Sequence, residues 1–468
     1  MDRVKNVGGS GYGSDYVDSL VWGSTAWDPA AGPIKIWFGG STDLDLALSV
    51  HGGTEYLHEN SVPDEWTPAE ASAFIYALNL YQGVCGLTFA YATDVTDADI
   101  VWWKTPLGDG DLGVHETPHD GQVWGYFNPT SESWKNMHFG GDGLNTVLHE
   151  IGHGLGLAHP HDGGTEWDAS TFPGVFDSSS TGTHGLNQGV WTVMSYNTGW
   201  DGAGYNLTYG NQAGLGAFDI AALQALYGVN YAAATGDDIY QLPNAAGYGG
   251  WFCIWDAGGN DTIKAAAGSR GAVIDLRAAT LRDDDPNAGG FISAELSSGN
   301  FVPGGFTIAK GVTIENATGG GRSDDLVGNG AANVLKGGGG NDTLWGDAGN
   351  DVLSGGTGRD TFVFDAKPNT ATNKDRIADY SVSLDAIWLD NQAFSKLGKG
   401  SYGSPKKLGS DMFVKASRAQ DREDRIIYDA KKGVLSYDAD GTGSKYKPVE
   451  IATLAKGLKM THQEFFVV

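Results

Sequence analysis

Cysteine is almost missing from this chain: Cys85 and Cys253 are the only two among 468 residues. A disulfide framework is thereby excluded, and stability outside a reducing compartment has to come from a core or from metal ions. Two separate buried thiols are the expectation, because a pairing cannot be read from sequence. Positive charge is also scarce. Lys and Arg number 30 against 57 Asp and Glu, a formal net charge of -27. That balance argues against nucleic acid as a partner and makes cations the natural ligands. No stretch approaches the roughly 20 apolar residues of a membrane span, and the first 30 positions hold no apolar core of a cleaved signal.

Glycine is abundant instead, with 72 residues that lack the three-residue period of collagen and so imply many turns or a glycine-dependent repeat. A chain of 468 residues exceeds the usual size of one core, so two domains are expected.

The densest chemistry lies in His149-Glu150-Ile151-Gly152-His153-Gly154-Leu155-Gly156-Leu157-Ala158-His159. On a helix His149 and His153 share one face and can reach a single tetrahedral ion. Glu150 falls one position round, near the open side of that ion. Gly156 suits a sharp turn that delivers His159 as a third ligand. Three protein ligands leave the fourth position for water, the arrangement of a catalytic zinc. Glu150 is then the general base that takes a proton from that water and later returns it. Downstream stands Val193-Met194-Ser195-Tyr196; taken alone, Met194 reads as an adaptable core filler and Tyr196 as a packed aromatic.

The two motifs together resemble the metzincin metalloproteases, and Pro160 after the third histidine with Tyr196 two residues after Met194 is similar to the serralysin branch of secreted bacterial proteases. That resemblance implies an α+β metzincin catalytic domain followed by an all-β parallel β-roll or β-sandwich domain. It makes Met194 the methionine of the turn beneath the metal, and Tyr196 a retractable zinc ligand that donates a hydrogen bond to the tetrahedral intermediate. It also implies broad hydrolysis of protein and peptide substrates by a monomer, with a proteinaceous inhibitor as a further partner. On this reading 1–20 is an N-terminal segment, poorly anchored and including a possible propeptide remnant. Residues 21–240 form the catalytic domain, with Tyr16-Val17-Asp18-Ser19-Leu20 at its entry, and 241–468 form the second domain.

Along the catalytic half, Ile34–Phe38, Asp99–Trp103 and Gln122–Phe127 read as strands; the metzincin resemblance implies an edge strand that pairs with extended substrate, with Gln122–Phe127 the candidate for it. Thr67-Pro68-Ala69-Glu70 reads as a capping box opening a helix through Tyr81. Phe218–Tyr227 reads as a helix ended by Gly228.

From Gly319 to Val363 the chain falls into five consecutive nonapeptides. Gly337-Gly338-Gly339-Gly340-Asn341-Asp342-Thr343-Leu344-Trp345 fits Gly-Gly-x-Gly-x-Asp-x-Leu-x throughout. Arg322, Asn333, Asp347 and Phe362 are departures. Glycines turn the loop, aspartate supplies a charged oxygen, and the leucine piece is a short strand facing the core. The repeats resemble the RTX parallel β-roll, which implies calcium at Asp324, Asp342, Asp351 and Asp360, with Asn333 a weaker neutral ligand. The same resemblance extends to Asp256, Gly258, Gly259 and Asp261, and to Thr313 and Glu315, as additional calcium residues.

Glu464-Phe465-Phe466-Val467-Val468 resembles the uncleaved C-terminal address read by type I secretion machinery, and also suits an ordinary final strand. The expectation is therefore a secreted zinc endopeptidase with structural calcium. The alternative is a calcium-dependent extracellular binding protein with a vestigial protease site.

Overall fold

The structure, a computed structural model, describes residues 3–108, 110–165, 170–205, 208–243, 249–266, 268 and 270–468. Met1 and Asp2 lie outside the described residues. The rest of the N-terminal segment departs from expectation, for it is firmly held. β1 (Val4–Val7) pairs antiparallel with β2 (Ser24–Trp27), and Lys5 Nζ donates to the Leu226 carbonyl at 2.7 Å. Between them α1 (Asp15–Asp18) buries Tyr16 and Val17. Tyr16 stacks on Phe218 and tilts against Phe172, with centroids 5.0 and 4.9 Å away. The anchoring partners lie far along the chain, so local composition could not reveal them.

A five-stranded sheet follows, built from β3 (Ile34–Gly39), β4 (Phe89–Tyr91), β5 (Ile100–Lys104), β6 (Gly113–His115) and β7 (Val123–Phe127) in the order β4-β3-β5-β7-β6. Every pairing is parallel except β6 with β7. β5 and β7 are buried along their whole length, which explains their continuous apolar and aromatic sequences. β7 is therefore internal, and the expected role of Gln122–Phe127 as the edge strand is corrected: the edge is β6.

Helix α2 (Leu44–His51) leads towards this sheet's aromatic face, and α3 (Pro68–Val84) begins with the expected capping box. Thr67 N–H donates to Glu70 Oε2 at 2.7 Å, and Glu70 N–H to Thr67 Oγ1 at 3.3 Å. α3 runs past Tyr81 to Val84 because Ala77, Leu78, Tyr81 and Val84 continue its buried stripe. α4 (Asp142–Gly154) packs beneath it, with Tyr81 Oη donating to the Leu148 carbonyl at 2.7 Å, and α5 (Ala217–Tyr227) ends at Gly228 as expected.

From Ile239 onward the described chain is strands and loops, with short 3-10 turns. The nonapeptides alternate between two sheets. Asn316 pairs with Val334 and Val334 with Val352 in one; Asp325 pairs with Thr343 and Thr343 with Thr361 in the other. Each unit is half a turn, and two complete an 18-residue turn, the separation of Asp324 and Asp342. Leu326, Leu335, Leu344, Leu353 and Phe362 are all fully buried between the sheets, so the Phe362 departure costs no register. Cys85 and Cys253 are separate, buried free thiols. Burial pushes both pKa values up to about 12, leaving them unreactive near neutrality.

Candidate active site

α4 carries His149, Glu150 and His153 as buried residues. It stops where Gly156 adopts a left-handed φ of +87°, which lets Leu157 N–H return to the Gly152 carbonyl at 2.9 Å. Trp27 Nε1 and Tyr227 Oη hold the last carbonyls, at Gly154 (2.8 Å) and Leu155 (2.6 Å). Ala158 N–H then donates to the Leu20 carbonyl at 2.9 Å, and the next residue, His159, is brought back over the helix.

The three imidazoles converge. Their Nε2 atoms lie 3.0 Å (His149–His159), 3.2 Å (His149–His153) and 2.9 Å (His153–His159) apart. Nδ1–H donates outward in each case, to the Val193 carbonyl (2.8 Å), the Leu157 carbonyl (2.9 Å) and Asp162 Oδ2 (2.6 Å). Burial, together with the neighbouring rings, holds His149 down at about 3 and His153 well below the ordinary histidine range. With each outer nitrogen committed to an acceptor, the three rings turn their Nε2 atoms onto one point. A tetrahedral zinc with bonds of ~2.0–2.1 Å would set nitrogens roughly 3.3 Å apart, slightly wider than found. The donor set fits that ion.

Glu150 is buried on the same wall, and burial lifts its carboxyl to about 8. Tyr196 is 55% exposed, its ring centroid 4.7 Å from that of His159 and 5.7 Å from that of His149. Met194 is fully buried beneath the helix. The reason for Gly152 appears here: a Cβ at that position would stand 2.6 Å from Met194 Sδ. Gly113 of β6 likewise makes room for the Glu150 side chain, whose Cγ would be 2.5 Å from an added Cβ. The cleft above has a volume of about 570 Å³ and is lined by the histidines, Glu150, Tyr196 and the edge strand.

Sequence reasoning missed the support of this site. Asp219, fully buried at the start of α5, accepts from Thr192 Oγ1 (2.6 Å), Val193 N–H (2.8 Å) and Gly216 N–H (2.7 Å). It thereby fixes the turn whose Val193 carbonyl orients His149. A charged residue inside an otherwise apolar helix start was the only signal. Asp219→Ala is expected to destabilise the protein by about 3 kcal/mol or more, at ~1–3 kcal/mol per buried donor left unpaired. Metal affinity should fall about 10- to 100-fold with the loss of outer-shell order. Thermal melts and a metal competition titration check both.

In the second half, the expected aspartates form two ladders. The backbone N–H of Asp324 donates to Asp342 Oδ1 (2.9 Å), Asp342 to Asp360 (3.0 Å), and Asp360 to Asp385 (3.1 Å). Asn333 donates to Asp351 (2.8 Å), and Asp351 to Asp375 (3.1 Å). Asp375 and Asp385 continue the ladders at wider intervals, so the nine-residue period did not reveal them. The second carboxylate oxygens of Asp342 and Asp351 are buried without a hydrogen-bond partner. An added Cβ at Gly337 would collide with Asp342 Oδ2, so glycine is what admits the carboxylate. Asp256 and Asp261 come together with Asp238, a carboxylate that the repeat pattern does not mark as a ligand. Asp261 N–H donates to Glu315 Oε2 at 2.9 Å, and Asp261 Oδ2 is also unpartnered. Gly258 takes a φ of +142°, and Gly259 passes close to the Gly236 carbonyl. Thr313 is exposed, two residues from Glu315.

Known proteins are similar to this chain over most of its length. The family Peptidase M10 serralysin C terminal matches residues 217–401. Metallopeptidase AprA of Pseudomonas marginalis is 35% identical over 383 residues, covering 75% of this chain and 74% of that protein. Metalloprotease AprA of Pseudomonas entomophila is 35% identical over 401 residues, covering 81% and 76%. Serralysin of Photorhabdus laumondii is 36% identical over 376 residues, covering 74% and 73%. With identity of this level running through both halves, the chain belongs to the serralysin family of metallopeptidases.

Proposed function

We propose that the chain is a secreted endopeptidase of broad specificity whose catalytic part is a metzincin-type domain over 21–240, working on protein substrates with a zinc ion held by His149, His153 and His159. The single observation that carries this reading is the convergence of three Nε2 atoms within 3.2 Å of one another, beside a buried carboxylate. When bound, zinc supplies an acidified water and polarises the substrate carbonyl.

The chain's own residues do the rest. Glu150 takes the proton released by the attacking water and hands it to the leaving amine. Tyr196, solvent-facing beside His159, donates its phenolic hydrogen bond to the oxygen that gains charge. Met194 and Asp219 keep the floor of the site rigid. β6, as the free edge, offers backbone groups to an extended substrate chain. Tyr196→Phe should lower kcat by about 10²-fold, the loss typical of one oxyanion donor, with bound metal unchanged. Steady-state kinetics on a fluorogenic peptide, with metal content measured in parallel, reads this directly.

The second half, 241–468, is read as a calcium-binding roll, supported by the unpartnered oxygens of Asp261, Asp342 and Asp351. The C-terminal residues are a folded strand: Phe465–Val467 pairs with Ala386–Leu389, and Val468 is buried. A type I export signal there would have to be read before the roll folds, which suits a domain that orders only in calcium. Casein hydrolysis that stops with a strong zinc chelator and returns with zinc tests the whole reading. Fully metal-loaded protein with no hydrolysis would instead favour a calcium-dependent binding protein.

A further inference from the structure

A second group of imidazoles and a carboxylate lies beside the same cleft, and nothing in the proposed peptide hydrolysis uses it. His51 ends α2, Glu116 follows β6 directly, and His119 stands in the loop between β6 and β7. Nε2 of His51 is 3.2 Å, and Nε2 of His119 3.4 Å, from Glu116 Oε2. The ligand atoms of all three lie within 4.8 Å of one another.

The group is organised as a metal site is. Outer nitrogens face carbonyls, His119 Nδ1 to Asp120 at 2.9 Å and His51 Nδ1 to Gly52 at 3.3 Å, so both rings turn Nε2 inward. Glu116 Oε2 is steadied by the Trp124 N–H at 2.7 Å. The His51 ring is stacked on Trp124 with centroids 4.0 Å apart and planes inclined by 16°. Side-chain exposures of 13% for His51, 27% for Glu116 and 43% for His119 leave the group accessible to a diffusing ion, with room for water as a further ligand. Two imidazoles and one carboxylate match zinc and its transition-metal neighbours. Calcium prefers 6–8 oxygens and is not served here.

Glu116 and His119 line the cleft that holds His149, His153 and His159. We propose that His51, Glu116 and His119 form an accessory site for zinc or a similar divalent transition metal, one that pins the end of the edge strand and the loop after it to α2. Occupancy would stiffen the cleft wall along which substrate lies. The chain then takes up two transition-metal ions rather than one.

The test uses the full-length protein, stripped of metal, saturated with calcium, and titrated with zinc against a chromophoric chelator. Two equivalents are expected for the unmodified chain and one for each of His51→Ala and His119→Ala. Cobalt(II) titration gives a second readout, because the absorption bands of the second equivalent should vanish in His119→Ala. His119 sits on an exposed loop, so that variant carries the test if His51→Ala fails to fold. Uptake of a single equivalent by the unmodified chain overturns the proposal, as does a second equivalent that survives His119→Ala. A second equivalent lost with His161→Ala instead would belong to His159, His161 and Asp162, and would overturn it too.

Discussion

Glu150→Gln is expected to lower kcat/KM on a peptide substrate by about 10²–10⁴-fold, the range for a lost general base, while bound zinc stays at the level of the unmodified protein. The amide is nearly the same size, so the tight fit against Gly113, where an added Cβ would lie 2.5 Å from Glu150 Cγ, is undisturbed. None of the three converging imidazoles uses Glu150 as its outer partner; those are Val193, Leu157 and Asp162. Metal retention and turnover therefore separate cleanly at this position. Kinetics and metal analysis on the same preparation provide the check. Activity within about tenfold of the unmodified enzyme, with zinc present, would remove Glu150 from its role.

The other large effect concerns calcium and pH. In the ion-free fold, burial and neighbouring carboxylates raise Asp342 from 3.8 to about 7. Burial likewise lifts Asp324 to about 6, burial raises Asp351, and burial with the Asp351 charge raises Asp375. An unfolded chain releases these protons near 3.8, so across the interval from 3.8 to about 7 the folded state holds more of them. Stability of the chelated protein therefore falls as pH rises through that window and is recovered on acidification. On the proposed reading calcium takes the place of the protons, and each ion would contribute roughly 2.7 kcal/mol at a hundredfold excess over its Kd. In chelator, the melting midpoint at pH ~5 should exceed that at pH ~8; saturating calcium should raise the pH ~8 midpoint above the chelated one and remove this order. Identical melting curves with and without calcium at both pH values would refute the calcium reading.

Much of the candidate site was legible because its spacing is local. His149 and His153 are one helical turn apart, and a helix dictates that they share a face. The capping box at Thr67 and Glu70 was legible for the same reason, as was the alternation of buried leucines from Leu326 to Leu353. Other features were not. Whether a strand is an edge depends on its neighbours, so β7 could not be told from β6 by its own residues. Asp219 and Val193 are 26 positions apart, and no period connects them. Asp375 and Asp385 lie 24 and 25 residues beyond the donors they serve, off the 18-residue beat of the earlier ladder.

Which donor atoms the chain carries and the intervals at which they recur are written in its residues, since bond lengths and helical or strand geometry convert short spacings into shared faces. What surrounds them emerges from the folded chain alone: which carbonyl orients each imidazole, which glycine admits a neighbour, which strand lies at the sheet's edge, and that His51 meets Glu116 from 65 residues away. Those contacts depend on how the core closes, and many residue combinations satisfy that closure, so no short pattern in the chain records them.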